Sequence, residues 1–309
     1  MPQVSINAYV ISVDIRKSKT LLVEGGSDKR VVQRIAANDP RCSTGGFSVD
    51  TAEFIKLPID PDRSDIGNKT KVLETLSKLE GNEKFAILVD REWEGLRGEE
   101  TGWKEFALPV MSDRKMVTSG HSIENYSFEP DFFSKAVLSR CYEHFNAEDE
   151  NLIHACFSRC LLMALAVSQV ISDAKLISRS AGIFRPSDFS WLTGDELRFE
   201  KDSGIQGRMA DRKITNPAEI LVRVQPTYQD LLDNFDCEPV KLYLHGHIGE
   251  EVVRALIASK VISMGIPEIS ASAFFTEGKE AREERLREYY SQLEDLPTSL
   301  AAVIDFLAA

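Results

Sequence analysis

At 309 residues, with 43% hydrophobic and 28% charged residues, the chain has the composition of one or two globular domains, and disorder is excluded as its main state. A formal charge of −12, from 49 acidic against 37 basic residues, argues against broad non-specific adhesion to nucleic acid or an anionic membrane. It leaves room for a nucleic-acid enzyme, because a divalent-metal site itself concentrates carboxylates and the phosphate contacts can sit on a local basic patch or a partner. The longest nearly apolar run, residues 161–171, contains Ser168 and Gln169 and is shorter than the ~20 apolar residues of a membrane span. Residues 1–15 lack the basic start and apolar core of a signal peptide. Five cysteines without a C-x-x-C argue against a disulfide framework or a structural zinc site. These features predict a cytoplasmic chain, not attached to a membrane, with reduced cysteines.

The first third alternates strand-like and helix-like runs. Residues 20–23 are a short extended stretch ending in Glu24-Gly25-Gly26, and Val31, Val32, Ile35 and Ala36 then recur at a helical period. A second extended stretch lies within 47–58, and residues 71–79 form an amphipathic helix with Val72, Leu73, Leu76 and Leu79 on one side. Phe85-Ala86-Ile87-Leu88-Val89 is a continuous apolar run of the kind buried on both faces of a parallel sheet. Strands alternating with helices predict βαβ units and a mostly parallel α/β sheet with helices on both faces. From residue 130 the texture turns helical. Helices are expected over 130–142 and 148–179, loops and short elements over 180–225, a helical block over 228–258 broken at His245-Gly246-His247, and a charged, solvated helix over 276–293. The division expected is a catalytic α/β domain over 1–140 and a mainly helical region over 141–309 for dimerisation, partner docking or substrate binding.

Chemistry concentrates in three places. Glu24 stands at the C-terminal end of the first strand of that unit, where open α/β sheets bind ligands, and one helical turn returns Asp28 toward the same spot. The spacing is not that of a P-loop. The other reading is a plain Gly-Gly turn with Ser27 or Asp28 as a helix cap. Asp90-Arg91-Glu92 ends the most apolar strand, and residues i and i+2 of a strand share a face. Two such carboxylates repel, a cost that a bound Mg²⁺ removes. The other reading is an exposed acidic loop with Glu94, Glu99 and Glu100 following. Third, His121-Ser122-Ile123-Glu124-Asn125-Tyr126 follows an extended stretch over 116–119.

The pair Leu21-Leu22-Val23-Glu24-Gly25-Gly26-Ser27-Asp28 and Ile87-Leu88-Val89-Asp90-Arg91-Glu92, about sixty residues apart, resembles the Toprim signature h-h-E-G-x-x-D and h-h-h-D-x-[DE]. Ser122-Ile123-Glu124-Asn125-Tyr126 looks like the motif that follows the D-x-[DE] strand in Toprim proteins of the OLD nuclease group. With its length and helical second half, the chain is similar to the Toprim effectors of PARIS anti-phage systems. The resemblance carries motifs over residues 20–130, and Glu92 stands where the family often has Asp. It implies a Toprim-like fold and a toxic, metal-dependent nuclease held by an ABC-type ATPase partner. Once released, such an effector acts as a homodimer on host tRNA to stop translation. Glu24, Asp90 and Glu124 would be the principal ligands of Mg²⁺ (or Mn²⁺), with Asp28 and Glu92 secondary. A cation supporting the transition-state charge would be Lys115, Lys29 or Arg91. The alternatives are an OLD-type DNA nuclease and a non-catalytic Toprim subunit that docks on the ATPase.

Other residues read as structural. His245 and His247 lack a third nearby ligand in sequence, and Cys156 and Cys160 share an apolar helix face. Trp93, Trp103 and Trp191 stack bases or pack. Arg179, Arg185, Arg198, Lys201, Arg208, Arg212, Lys213 and Arg223 are interspersed with acids, so a phosphate-binding surface competes with ordinary ion pairing.

Overall fold

The computed structural model describes residues 3–43, 46–58, 67–98, 102–192, 196–293 and 295–309. Glu99 and Glu100 lie outside them. The chain forms two compact units that interleave in sequence: Met1–Glu92, Leu108–Ser119 and Arg282–Ala309 in the first, Trp93–Ala107 and Gly120–Ala281 in the second. A single cut at residue 140 does not describe this interleaving.

The first unit opens with strand β1 (Val4–Ser5) and helix α1 (Ile6–Asp14), whose first turn is capped by the Ser5 hydroxyl accepting the Ala8 N–H. Strand β2 (Lys19–Val23) leads into α2 (Gly26–Asn38), followed by β3 (Phe47–Thr51), β4 (Ile55–Lys56), α3 (Asn68–Lys78), β5 (Phe85–Val89) and β6 (Lys115–Val117). β1 pairs with β4 in a short parallel ladder, and the main sheet has the order β3-β2-β5-β6 with every pair parallel. Every residue of β5 is buried, as its unbroken apolar run requires of a strand covered on both faces. On one face Leu22, Ile87, Val89 and Val117 join Ile6, Tyr9 and Val13 of α1 and Val72 of α3 in a single apolar cluster. The other face is covered by α2 and by the helix that returns at the C-terminus, Thr298–Ala308. The expected α/β class is therefore present, as a Toprim-like parallel sheet between helical layers. The C-terminal helix lies beyond the last element expected from the sequence.

The second unit is built on two long helices. α4 (Pro130–Cys141) precedes α5 (Ala147–Asp173), which starts where the Asn146 side chain accepts the Glu148 and Asp149 N–H groups. Glu148, Asp149 and Glu150 in its first turn complement the helix dipole. α5 stops at Asp173 rather than running on to residue 179, because Lys175 takes a left-handed conformation (φ 57°) and the Leu176 N–H turns back to the Ile171 carbonyl. α5 is the one helix among the described residues with the length and composition to cross a membrane. Two thirds of its apolar window is buried inside the protein, with Cys156 and Cys160 among the core residues.

Between residues 180 and 225 the chain is more ordered than its scattered composition suggests. It forms a small antiparallel pair, β7 (Phe189–Trp191) with β8 (Leu197–Phe199), then α6 (Ile205–Asp211) and α7 (Pro217–Leu221). Asp188, wholly buried, organises it by accepting from both the Arg208 guanidinium (2.5 and 2.6 Å) and the Arg185 N–H (2.8 Å). The block expected over 228–258 is two helices, α8 (Val224–Asn234) and α9 (Gly246–Ser263), with His245 as the N-cap of α9. A short helix, α10 (Glu268–Phe275), and α11 (Lys279–Ser291) follow. α11 is not wholly solvated as expected: Tyr290 is buried, and Glu283 pairs with Arg30 of α2 at 2.5 Å.

Candidate functional site

In the first unit, three carboxylates stand at the C-terminal ends of neighbouring parallel strands. Glu24 directly follows β2, Asp90 directly follows β5, and Glu53 lies in the short 3-10 turn Ala52–Phe54 after β3. Glu24 and Asp90 are joined, since Glu24 Oε1 accepts the Asp90 backbone N–H at 2.9 Å. Burial pushes the Glu24 carboxyl above its ordinary range, opposed by that N–H and by the nearby Lys69 ammonium and assisted by Glu92. A half-buried carboxylate held in this way binds a cation readily, because a positive charge offsets the desolvation of the ionised form.

At the Gly25-Gly26 step the capping reading is present. Gly25 is the N-cap of α2, and Asp28 at the third helical position accepts the Gly25 N–H at 2.9 Å, the reciprocal half of a capping arrangement. Asp28 is therefore brought to the same turn as Glu24, with one oxygen already used by the backbone. Gly26 N–H points to Glu53 Oε1 at 3.4 Å. Glu53 was missed by sequence reasoning, although the rule that selected Glu24 and Asp90, an acid just past a strand in a parallel sheet, selects it too.

Asp90-Arg91-Glu92 departs from the expected geometry. β5 ends at Val89, and Glu92 adopts φ 58°, so the strand alternation that was to aim Asp90 and Glu92 from one face does not apply. Instead Arg91 is buried, with its N–H on Thr118 Oγ1 (2.9 Å) and its guanidinium on the Ser119 carbonyl (3.0 Å). Arg91 fastens the end of β5 to the end of β6 and is a structural tie. Glu92 turns outward and meets Lys69 Nζ at 3.4 Å.

A cation at this edge is Lys69, in the first turn of α3, which no sequence motif marked. Lys115 is not there. It pairs in register with Ile87, two residues before the end of β5, so it begins β6 below the edge that carries the acids. Lys29 follows Asp28 in α2, and its backbone N–H returns to the Gly25 carbonyl at 3.2 Å.

Glu124 belongs to the second unit. It sits in the first turn of the 3-10 helix Ile123–Ser127, and its Oε1 lies 3.6 Å from Nδ1 of His247, an exposed residue in the first turn of α9. The neighbouring Asn125 is the joint of the motif. Wholly buried, it donates to the carbonyls of Lys241 (2.6 Å) and Leu244 (2.9 Å) and accepts the Ser122 N–H at 2.7 Å. Gly246 lets the chain pass close here, because a Cβ on it would stand 2.1 Å from Ser122 Oγ and 2.9 Å from Glu124 Oε2. The His245-Gly246-His247 sequence, read as bland, thus borders Glu124.

His245 is tilted against His121 with ring centres 4.4 Å apart, and His121 lies edge-on to Trp93 at 5.3 Å. Burial and the neighbouring His247 push the His245 imidazole down to about 4, so it is neutral at physiological pH. Trp93 and Trp103 pack edge to face at 5.9 Å, and Trp93 Nε1 donates to the Tyr243 carbonyl at 2.8 Å. Trp191 donates to the Leu256 carbonyl at 3.2 Å. All three tryptophans are packing residues in this structure. Three of the eight interspersed basic residues are ion-paired: Arg208 to Asp188, Arg223 to Asp173 and Arg198 to Glu196. No protein-family model matches the chain, and no curated protein matches it.

Proposed function

We propose that the chain is a metal-dependent phosphodiester hydrolase, with Glu24 and Asp90 as its central groups. The observation that carries this reading is the junction at the C-terminal ends of β2 and β5, where a half-buried, desolvated Glu24 accepts the Asp90 N–H beside a lysine. The donor set fits a hard divalent cation that takes one or two carboxylates and keeps water for phosphate oxygens to replace, as Mg²⁺ does. Glu24 and Asp90 would hold it, with Asp28 and Glu92 outside them; a role for Glu124 as a further ligand rests on the resemblance of its motif alone. When bound, the ion activates water and stabilises the leaving oxygen of a phosphodiester. The chain's own part is to fix Glu24 through the Asp90 N–H, to tie the β5 and β6 ends through Arg91, and to hold charge balance through Lys69.

The resemblance to PARIS effectors extends the proposal to a cytoplasmic toxin that cleaves host tRNA as a homodimer after release from an ABC-type ATPase. One observation favours a second reading, a non-catalytic subunit docked on that ATPase: among the described residues no three metal-ligating side chains form one group.

Incubating the purified full chain with tRNA and with supercoiled plasmid, in Mg²⁺, Mn²⁺ or chelator, separates these readings. Divalent-dependent tRNA cleavage is expected. Asp90→Asn and Glu124→Gln are each expected to lower it by at least about a hundredfold, the scale of a lost metal ligand. Cleavage of plasmid alone would favour an OLD-type DNA nuclease, and no cleavage of either would favour the docking subunit. Full activity in folded Glu124→Gln would remove Glu124 from the ligand set and leave it as the partner of His247.

A further inference from the structure

Lys69 sits where a lysine is unfavourable. The first turn of α3 carries Lys69 and Lys71 and no acid, although the positive end of the helix dipole disfavours cations there. Lys69 is compensated from outside its helix. Its ammonium lies 3.4 Å from Glu92 Oε2, donates to the Arg91 carbonyl at 3.4 Å, and lowers the cost of ionising Glu24. It is only partly exposed, so water screens this charge less than it would a surface lysine. One ammonium thus serves two acids and a carbonyl that all belong to the edge assigned to a divalent ion.

Resting on the metal reading above, we propose that Lys69 is the resident counter-ion of the Glu24 and Glu92 carboxylates, and that a divalent cation enters this edge by displacing it. Two positive charges drawn to the same carboxylates compete, so the ammonium lowers the affinity for the ion. It also keeps the acids from repelling one another when no metal is present. Metal loading is then a charge exchange within the first unit.

The test is binding of Mn²⁺ alone to the full chain, read from the electron paramagnetic resonance signal of free Mn²⁺, with Mg²⁺ as competitor and no nucleic acid present. Lys69→Met and Lys69→Gln are expected to bind Mn²⁺ about tenfold more tightly than the unaltered chain, the size of effect one close opposite charge has on a carboxylate equilibrium. Lys69→Arg should resemble the unaltered chain, and Glu24→Gln should abolish binding in every background. Circular dichroism checks that each variant is folded, and the glutamine variant serves if the methionine variant is not. Glu24-dependent binding that is unchanged or weaker in both neutral variants would overturn the exchange and leave the metal site standing. Absence of Glu24-dependent binding in the unaltered chain and in both neutral variants would overturn the metal reading itself, and the exchange with it.

Discussion

Glu24→Gln is expected to lower divalent-dependent cleavage by at least about a hundredfold while leaving the fold as stable as before or more stable at neutral pH. The activity loss follows from the charge: glutamine keeps the side chain's size and an oxygen for the Asp90 N–H now accepted at 2.9 Å, but it cannot balance a divalent ion. The stability effect follows from the raised carboxyl pKa, whose largest cause is burial. A carboxyl whose folded pKa lies above its unfolded value favours folding while it is protonated. That contribution is present in full below the ordinary value of 4.5 and is lost as pH rises through the folded value. Glutamine has no such loss. In metal-free melts from pH 4 to 8, the stability of the variant relative to the unaltered chain should rise with pH and level off once Glu24 is ionised in the folded protein. A relative stability that falls with rising pH would mean that the ionised carboxylate is stabilised in place, with the Asp90 N–H and Lys69 outweighing burial.

The sequence located Glu24 and Asp90 because the physics that places them is local. An apolar run of five residues between polar neighbours reads as an interior strand of a parallel sheet, and an acid directly after such a strand emerges at the sheet edge. The same logic contained Glu53, which was passed over because β3, alternating and flanked by irregular sequence, is a weaker strand signal. Lys69 carried no signal at all, for it reaches Glu92 and the Arg91 carbonyl only through the folding of α3 onto β5. Among Lys115, Lys29 and Arg91 the sequence offers no ranking, because the level of Lys115 in the sheet is set only by the pairing of β6 with β5, which places it beside Ile87. The C-terminal return of residues 282–309 to the first unit is long-range as well, and no local pattern encodes it.

Asn125→Ala is expected to cost about 3 kcal/mol, because it leaves the buried Leu244 carbonyl, the part-buried Lys241 carbonyl and the Ser122 N–H without their partner. For a unit of this size that corresponds to a fall in melting temperature of about 10 °C. Gly246→Ala should act on the same joint from the other side, since its methyl would collide with Ser122 Oγ and crowd Glu124; overpacking of this kind costs about 1–3 kcal/mol. Glu124→Gln is the control, because Glu124 is half-buried and faces an exposed histidine, so its melting temperature should hardly move. Thermal melts of the three variants, read beside their cleavage rates, divide the Ser122 to Tyr126 motif into its two kinds of residue. Asn125 and Gly246 set the shape of the loop, and their loss should reduce stability first and activity as a consequence. Glu124 is what the loop presents, and its loss should reduce activity alone. If Asn125→Ala melted like the unaltered chain, the link between this loop and residues 241–244 would have to be made by packing rather than by the asparagine, and the motif's asparagine would then need a role at the carboxylate beside it.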